Sequence, residues 1–433
     1  MIAALIVFGI VIFFHELGHF IAAKRQGIKV EQFAIGFPPK LFAFKRGETE
    51  YRICAIPCGG YIKMAGDNPD EELKGEPWEF CSASVKKRMK IVIAGPLMNF
   101  ILGFVLFALI AMLGVPTYSN IVGKVEKDSS AQMAGILAGD KIIKINDIKT
   151  NNWTELISAV SSSTKQASSG KVELTILRDN IELRKEIIRE KKDKDKEIGI
   201  MPYVSTKFKE VVKGCPAQKA GLKKGDVVTS INGQQVLQWD EMAEIIRKNP
   251  GKELIFGIDR EGELMNVKIT PAAKPGYDAD KKKEIKVGSI GILACSEMYR
   301  VNPLAALWHG LLQTLATIQL IFLILWQLIQ GALSYKLLAG PIGIVQMSGE
   351  QAQLGLTYFL GFIAMLSVNL GVVNLLPLPI LDGGHVMFLT IEKIRGKALS
   401  IKTQSAIQWV GITIIVCLTI LVSSNDIRRL LGL

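Results

Sequence analysis

The stretch His15-Glu16-Leu17-Gly18-His19 stands inside the first apolar run of the chain, which extends from Met1 to about Ala23. Residues four apart on an α-helix point from one face, so His15 and His19 can share one Zn²⁺, and Glu16 between them has the chemistry of a general base. The setting is costly. An ionisable side chain at bilayer depth is opposed by roughly 2.5–3.5 kcal/mol on insertion scales and is seldom present without a task. The run therefore reads as a membrane helix that carries a metal site.

Composition agrees with that reading. Of 433 residues, 49% are hydrophobic and 21% charged, and the mean hydropathy is +0.29, which is too apolar for an ordinary soluble protein and too charged for membrane spans alone. The net charge of +12 is spread along the chain without a basic stripe carrying interleaved aromatics, so it reads as membrane-flanking and surface charge, and no nucleic-acid partner is expected. Six cysteines at Cys54, Cys58, Cys81, Cys215, Cys295 and Cys417 show no framework spacing, which argues against disulfides and against a cysteine-ligated zinc. The N-terminal run lacks a basic leader and a small-residue cleavage site, so it is expected to be a retained span.

Four apolar stretches are long enough to cross a bilayer: about 1–23, 91–115, 304–329 and 406–422. A fifth, 359–381, is interrupted by Asn369, Asn374, Pro377 and Pro379 and reads as broken or interfacial backbone lining a cavity. Between residues 23 and 90 there are thirteen Lys and Arg, with Lys86-Lys87-Arg88 and Lys90 just before the second span. That bias places the loop in the cytoplasm. At about 1.5 Å per residue, His15 lies about 21 Å in from the opposite face, in the cytoplasmic half of the bilayer, and residues 116–303 lie on the far side.

Those residues contain a repeat. Ala131-Gln132-x-Ala134-Gly135 matches Ala217-Gln218-x-Ala220-Gly221, Gly139-Asp140 matches Gly225-Asp226, Ile145-Asn146 matches Ile231-Asn232, and Trp153-x-Glu155 matches Trp239-x-Glu241, all at an offset of 86. In each copy a Gly-Asp turn leads into an apolar strand, a second turn and a helix-like run. The second copy, Ala-Gly-Leu-x-x-Gly-Asp-x-Val-x-x-Ile-Asn-Gly, resembles bacterial PDZ domains, which implies a small β-sandwich whose groove accepts a peptide as an edge strand. The competing reading is a rigid spacer without ligand. The charged stretches Lys191 to Glu197 and Asp278 to Lys286 read as linkers after the two copies.

A catalytic zinc site needs a third protein ligand and an open position for water. Asp382, in Asn374-Leu-Leu-Pro-Leu-Pro-Ile-Leu-Asp382-Gly383-Gly384-His385, ends an apolar run where an unpaired carboxylate is expensive, and the two glycines after it allow close backbone approach. His385 reads as a supporting or helix-terminal residue rather than a ligand. His309, alone among apolar residues, reads as a packing residue.

With these motifs in place, the chain resembles the intramembrane site-2 metalloproteases, which carry HExxH in one span and Asn-x-x-Pro-x-Pro-x-Leu-Asp-Gly in a later one. The resemblance is closest to bacterial members with tandem PDZ modules, and covers nearly the full length. It extends through Pro57-Cys58-Gly59-Gly60-Tyr61, Ala94-Gly95-Pro96-Leu97-Met98-Asn99-Phe100, Gly340-Pro341-Ile342 and Ser367-Val368-Asn369-Leu370-Gly371.

The resemblance implies an α-helical polytopic membrane protein with a membrane-dipping β-loop near Gly47 to Met64 and two inserted PDZ domains. The expected division is 1–115 and 300–433 for the membrane core, with PDZ domains at 118–195 and 197–272. Zn²⁺ held by His15, His19 and Asp382, Glu16 as general base, and Asn369 and Asn374 holding the substrate backbone are the implied site. The implied partners are the lipid bilayer, membrane-spanning substrates such as anti-sigma-factor-like regulators, and remnant signal peptides, in a bacterial inner membrane with the PDZ pair periplasmic. The alternative from a different class is a catalytically inactive zinc-binding scaffold that presents two PDZ modules. Glu16 argues against it, since a structural zinc site has no use for an acid between its ligands and takes a fourth protein ligand.

Overall fold

A computed structural model describes residues 1–68, 74–166, 171–188, 198–278, 283–335 and 338–431. The chain forms two compact units, one of residues Met1–Leu113 with Arg300–Leu433 and the other of Gly114–Tyr299.

The first unit opens with α1 (Ile2–Arg25), whose buried face runs Ala4, Val7, Val11, His15, Gly18. Spacings of three and four keep that face continuous. Next come two long strands, β1 (Val30–Arg46) and β2 (Thr49–Met64). Each bends, so the pair builds four rungs in the spatial order 40–46, 49–54, 30–35, 60–64: Phe33 pairs with both Tyr51 and Ile62, Ile35 with both Ile53 and Gly60, and Phe44 with Tyr51. One side of this sheet carries a polar row. Arg52 donates to Gln32 at 2.8 Å and to Glu50 at 2.6 Å, and Lys40 reaches Glu50 at 3.2 Å. Leu41, Phe42, Phe44, Ile53 and Ile56 are exposed, the composition of a sheet that enters an apolar medium. Helix α2 (Val85–Leu113) follows, with Pro96 inside it.

The second unit opens with β3 (Val115–Thr117), paired with the last strand, β18 (Glu297–Tyr299). The first copy contains β4 (Val122–Val125), α3 (Ser130–Met133), β5 (Lys141–Ile145), β6 (Ile148–Lys149), α4 (Trp153–Gln166), β7 (Lys171–Arg178), β8 (Ile181–Ile188) and β9 (Ile200–Pro202). The second contains β10 (Phe208–Val211), α5 (Pro216–Lys219), β11 (Val227–Ile231), β12 (Gln234–Gln235), α6 (Trp239–Lys248), β13 (Leu254–Arg260), β14 (Glu263–Ile269), the hairpin β15 (Ala272–Asp278) and β16 (Lys283–Ser289), and β17 (Ile292–Ala294). The sheet orders β6-β5-β7-β8 and β12-β11-β13-β14 are the same arrangement made twice.

Each copy closes later than its sequence limits indicate. β9 returns to pair with β4, Val122 opposite Pro202, so the first copy runs past 195; β17 pairs with β10, Phe208 opposite Ala294, so the second runs past 272. The closing strands are three residues long, too short to show a period of their own. Asp278 pairs with Lys283 at the ends of β15 and β16, so the described part of the second charged run belongs to this hairpin rather than to a linker. Lys191 to Glu197 lies outside the described residues.

The Gly-Asp turns acquire a structural reason. Asp140 and Asp226 are each 1% exposed. Asp226 accepts two bonds from Arg260, both at 2.8 Å, and one from the Lys223 N–H at 2.9 Å; Asp140 is held in the same way by Arg178 and the Leu137 N–H. Burial pushes both carboxyls up, and the paired guanidinium with the turn N–H overcomes it, so both sit below the ordinary carboxylate range. A depressed folded value contributes stability above the unfolded carboxyl pKa, about 3.9, and loses it as pH falls through the folded value below that. Asp226→Ala leaves the guanidinium without its partner and is expected to cost about 3–5 kcal/mol. Faster hydrogen exchange along β11 measures that cost.

The first unit resumes with α7 (Pro303–Ile329), α8 (Pro341–Leu354), α9 (Leu356–Asn374), α10 (Asp382–Arg395) and α11 (Ile401–Leu431). Among the described residues five helices, α1, α2, α7, α9 and α11, are long and apolar enough to cross a membrane. The expected break in the fifth apolar stretch is therefore displaced: residues 356–374 are continuous helix, and the chain departs from it only after Asn374, where Pro377 and Pro379 cannot continue one. Small residues set the close helix contacts. A Cβ on Gly18 would lie 2.2 Å from the Ala94 carbonyl oxygen, one on Gly310 2.8 Å from that of Phe104, and one on Gly371 3.1 Å from that of Pro96. Asp426 of α11 accepts from the Gly340 and Gly343 N–H groups at 3.1 and 2.8 Å, placing a carboxylate on the α8 N-terminus.

Candidate metal centre

Three side chains from two distant parts of the sequence converge in the first unit. His15 and His19 project from one face of α1, and Asp382 is the first residue of α10. His15 Nε2 lies 3.3 Å from His19 Nε2 and 3.2 Å from Asp382 Oδ2, and His19 Nε2 lies 3.5 Å from Asp382 Oδ1. Two bonds of about 2.0–2.2 Å at a tetrahedral angle separate their ligand atoms by about 3.3–3.6 Å, so these spacings are close to those of a tetrahedral Zn²⁺ site. Asp382 Oδ2 is buried and accepts no hydrogen bond despite its 3.2 Å approach to His15. An orphaned carboxylate oxygen facing an imidazole nitrogen is what a cation completes.

Local backbone geometry explains how Asp382 reaches the site. After Asn374 the chain turns tightly, with Leu378 N bonded to Leu376 O at 2.7 Å and Leu381 N to Leu378 O at 2.9 Å. A Cβ on Gly383 would lie 2.1 Å from the Leu376 oxygen, and one on Gly384 2.3 Å from that of Leu378. Only glycines let this turn fold onto the start of α10. At the other end of α10, Glu392 pairs with Arg88 of α2.

Helix α2 passes directly behind the histidines. A Cβ on Gly95 would lie 2.3 Å from His19 Nε2 and 2.9 Å from His15 Cε1. His19 Nδ1 faces the Ile91 carbonyl at 2.8 Å, so Nδ1 carries the proton and Nε2 presents a lone pair. Asn99 Nδ2 stands 3.1 Å from His15 Nδ1.

The other candidates fall into place around this cluster. Glu16 is half-buried and beside Gly60, whose Cβ would meet Glu16 Cγ at 3.2 Å. Asn374, the last residue of α9, brings Nδ2 within 3.3 Å of His15 Nε2. Asn369 lies half-buried within α9, five residues earlier and so on a different face. His385 is exposed and is not among the clustered donors; its ring meets Phe388 edge-on. His309 is half-buried in α7. Gly95 and Asn99 received no site role from sequence reading, although both lie in the Ala94 to Phe100 motif that carried the resemblance.

Comparison with known proteins identifies the family. The family model for peptidase family M50 matches residues 3–418. Protease RseP of Yersinia pestis is 34% identical, with 99% of this chain and 98% of the relative aligned. The regulator of sigma-E protease RseP of Escherichia coli K12 is 34% identical, with 98% of each aligned. A Neisseria meningitidis protein named as a zinc metalloprotease is 33% identical over 98% of this chain and 97% of its own. A solved PDZ domain from Listeria monocytogenes aligns with 22% of this chain and 90% of its own at 20% identity, with a TM-score of 0.17.

Proposed function

The chain belongs to peptidase family M50, the site-2 proteases, a zinc metalloendopeptidase family, and from that premise we propose how its residues divide the work. His15, His19 and Asp382 hold the Zn²⁺, and Glu16 is the general base. The observation that carries this reading is the set of donor separations of 3.2, 3.3 and 3.5 Å. When bound, the ion polarises the scissile carbonyl and lowers the pKa of a water ligand to about 7. Glu16 would take a proton from the water that attacks the scissile carbonyl carbon and deliver it to the amine nitrogen as the C–N bond breaks. Asn374, whose amide reaches within 3.3 Å of His15 Nε2, offers that amide to the substrate backbone. Asn369, five residues earlier on another face of α9, is also assigned to holding the substrate backbone.

The scaffold reading is not favoured. A structural zinc site closes with a fourth protein ligand, whereas three donors cluster among the described residues.

Substrates are proposed to be transmembrane segments of membrane-tethered regulators such as anti-sigma factors, consistent with relatives named as sigma-E regulators, and remnant signal peptides. A peptide bond in a membrane helix is shielded and hydrogen-bonded, so cleavage requires replacement partners for the unwound backbone. The β2 edge at Gly60, beside Glu16, can supply them by strand addition. The reading places the protein in a bacterial inner membrane, with the site toward the cytoplasm and the two-copy unit in the periplasm.

Purified chain in detergent with a single-span substrate tests the zinc chemistry. A chelator should stop cleavage and added Zn²⁺ should restore it; cleavage that survives complete removal of the metal would overturn the assignment. The two-copy unit is assigned the role of a filter that admits shortened substrates. Replacing residues 114–299 with a short linker should then let full-length and pre-trimmed substrates be cut at similar rates. Discrimination that persists without the unit refutes the filter.

A further inference from the structure

His19 has its Nδ1 proton fixed by a backbone carbonyl, but His15 has no such carbonyl. The group facing His15 Nδ1 is the Asn99 side chain at 3.1 Å, from α2, and Asn99 is 0% exposed. For His15 Nε2 to present a lone pair toward His19 and Asp382, a neutral imidazole must carry its proton on Nδ1. That proton needs an acceptor. Asn99 Oδ1 is the acceptor within reach once the amide is turned, and no donor holds Oδ1 on its present side, where it is buried and unpartnered. Amide nitrogen and oxygen are interchangeable in outline, and the hydrogen-bond network decides between them.

We propose that Asn99 is a positioning residue for the metal centre, its side-chain oxygen accepting the His15 Nδ1 proton and so fixing the tautomer that leaves Nε2 free for zinc. This rests on the assignment of His15 as a ligand. The placement of Asn99 is itself held, because Ser367 of α9 donates its hydroxyl to the Asn99 carbonyl at 2.9 Å. One helix then orients both imidazoles: Ile91 through its backbone and Asn99 through its side chain, with Gly95 between them leaving room for the rings. A metal-ligating histidine normally passes its other N–H to such a partner, and removing one typically weakens metal binding 10–100-fold.

The test is zinc affinity of the full-length purified chain, measured by competition with a chromophoric chelator. Asn99→Ala should bind zinc about 10–100-fold more weakly than wild type. Asn99→Asp, an acceptor of the same shape, should keep wild-type affinity or exceed it. Unchanged affinity in Asn99→Ala, or equal weakening in both variants, overturns the inference. Nitrogen-15 histidine spectra of the zinc-loaded wild type give an independent readout if Asn99→Ala fails to fold: His15 should be protonated at Nδ1, and a bare Nδ1 overturns the inference. A wild type that binds no zinc at all would instead overturn the ligand assignment on which it stands.

Discussion

Glu16→Gln is expected to lower cleavage of a single-span substrate by about 10²–10⁴-fold, the usual contribution of a positioned general base, while zinc content stays at the wild-type level. Glu16 follows His15 on α1 and lies outside the His15, His19 and Asp382 donor cluster, so the metal loses no ligand. Its carboxylate makes no hydrogen bond among the described residues, so an amide of equal size breaks none. What the substitution removes is the capacity to take a proton. Cleavage rate and metal content measured on the same preparation separate the two effects. Full activity in the variant would remove Glu16 from its role, and loss of zinc would make it a ligand.

Gly95→Ala is expected to be nearly as damaging, by a different route. The added methyl would lie 2.3 Å from His19 Nε2 and 2.6 Å from His19 Cε1, inside any permitted contact, so a ring or α2 must shift. Misplacement of about 1 Å in a catalytic group costs on the order of 10²-fold, and the donor atoms here are themselves displaced. Activity should fall at least about 100-fold and zinc should bind weakly. Helix stability does not confound the result, because alanine favours a helix over glycine by about 1 kcal/mol. Gly9→Ala on α1, with nothing within 4 Å of its added carbon, serves as the silent control. Wild-type activity in Gly95→Ala would show that α2 does not confine the imidazoles.

The candidate metal centre was legible because polar residues are conspicuous in apolar runs. His15, Glu16, His19 and Asp382 each stand where hydrocarbon penalises them, and spacing supplied the chemistry. Asn99 is equally anomalous in its span, yet a lone asparagine announces no partner, and its meaning depends on meeting a histidine 84 positions away. The same kind of signal misled at Asn369. One polar residue leaves a helix intact because the backbone remains satisfied, so the break falls at the prolines instead.

The repeat shows a second limit. The offset of 86 places Asp140 on Asp226, but Arg178 and Arg260 are 82 apart, because α4 has 14 residues and α6 has 10. Helix length absorbs the difference and hides the paired arginines from alignment by a fixed period. In the β-loop, strand character near Gly47 to Met64 was visible but β1 and the four rungs were not, since nothing in residues 30–64 marks where a long strand bends to pair twice.

The central claim is that two imidazoles and one carboxylate hold the ion. Zinc K-edge X-ray absorption on the purified full-length chain tests it most directly. The predicted spectrum has a first shell of nitrogen and oxygen at about 2.0–2.2 Å, with outer-shell scattering from two imidazole rings. A sulfur shell at about 2.3 Å, or absence of imidazole scattering, would contradict it.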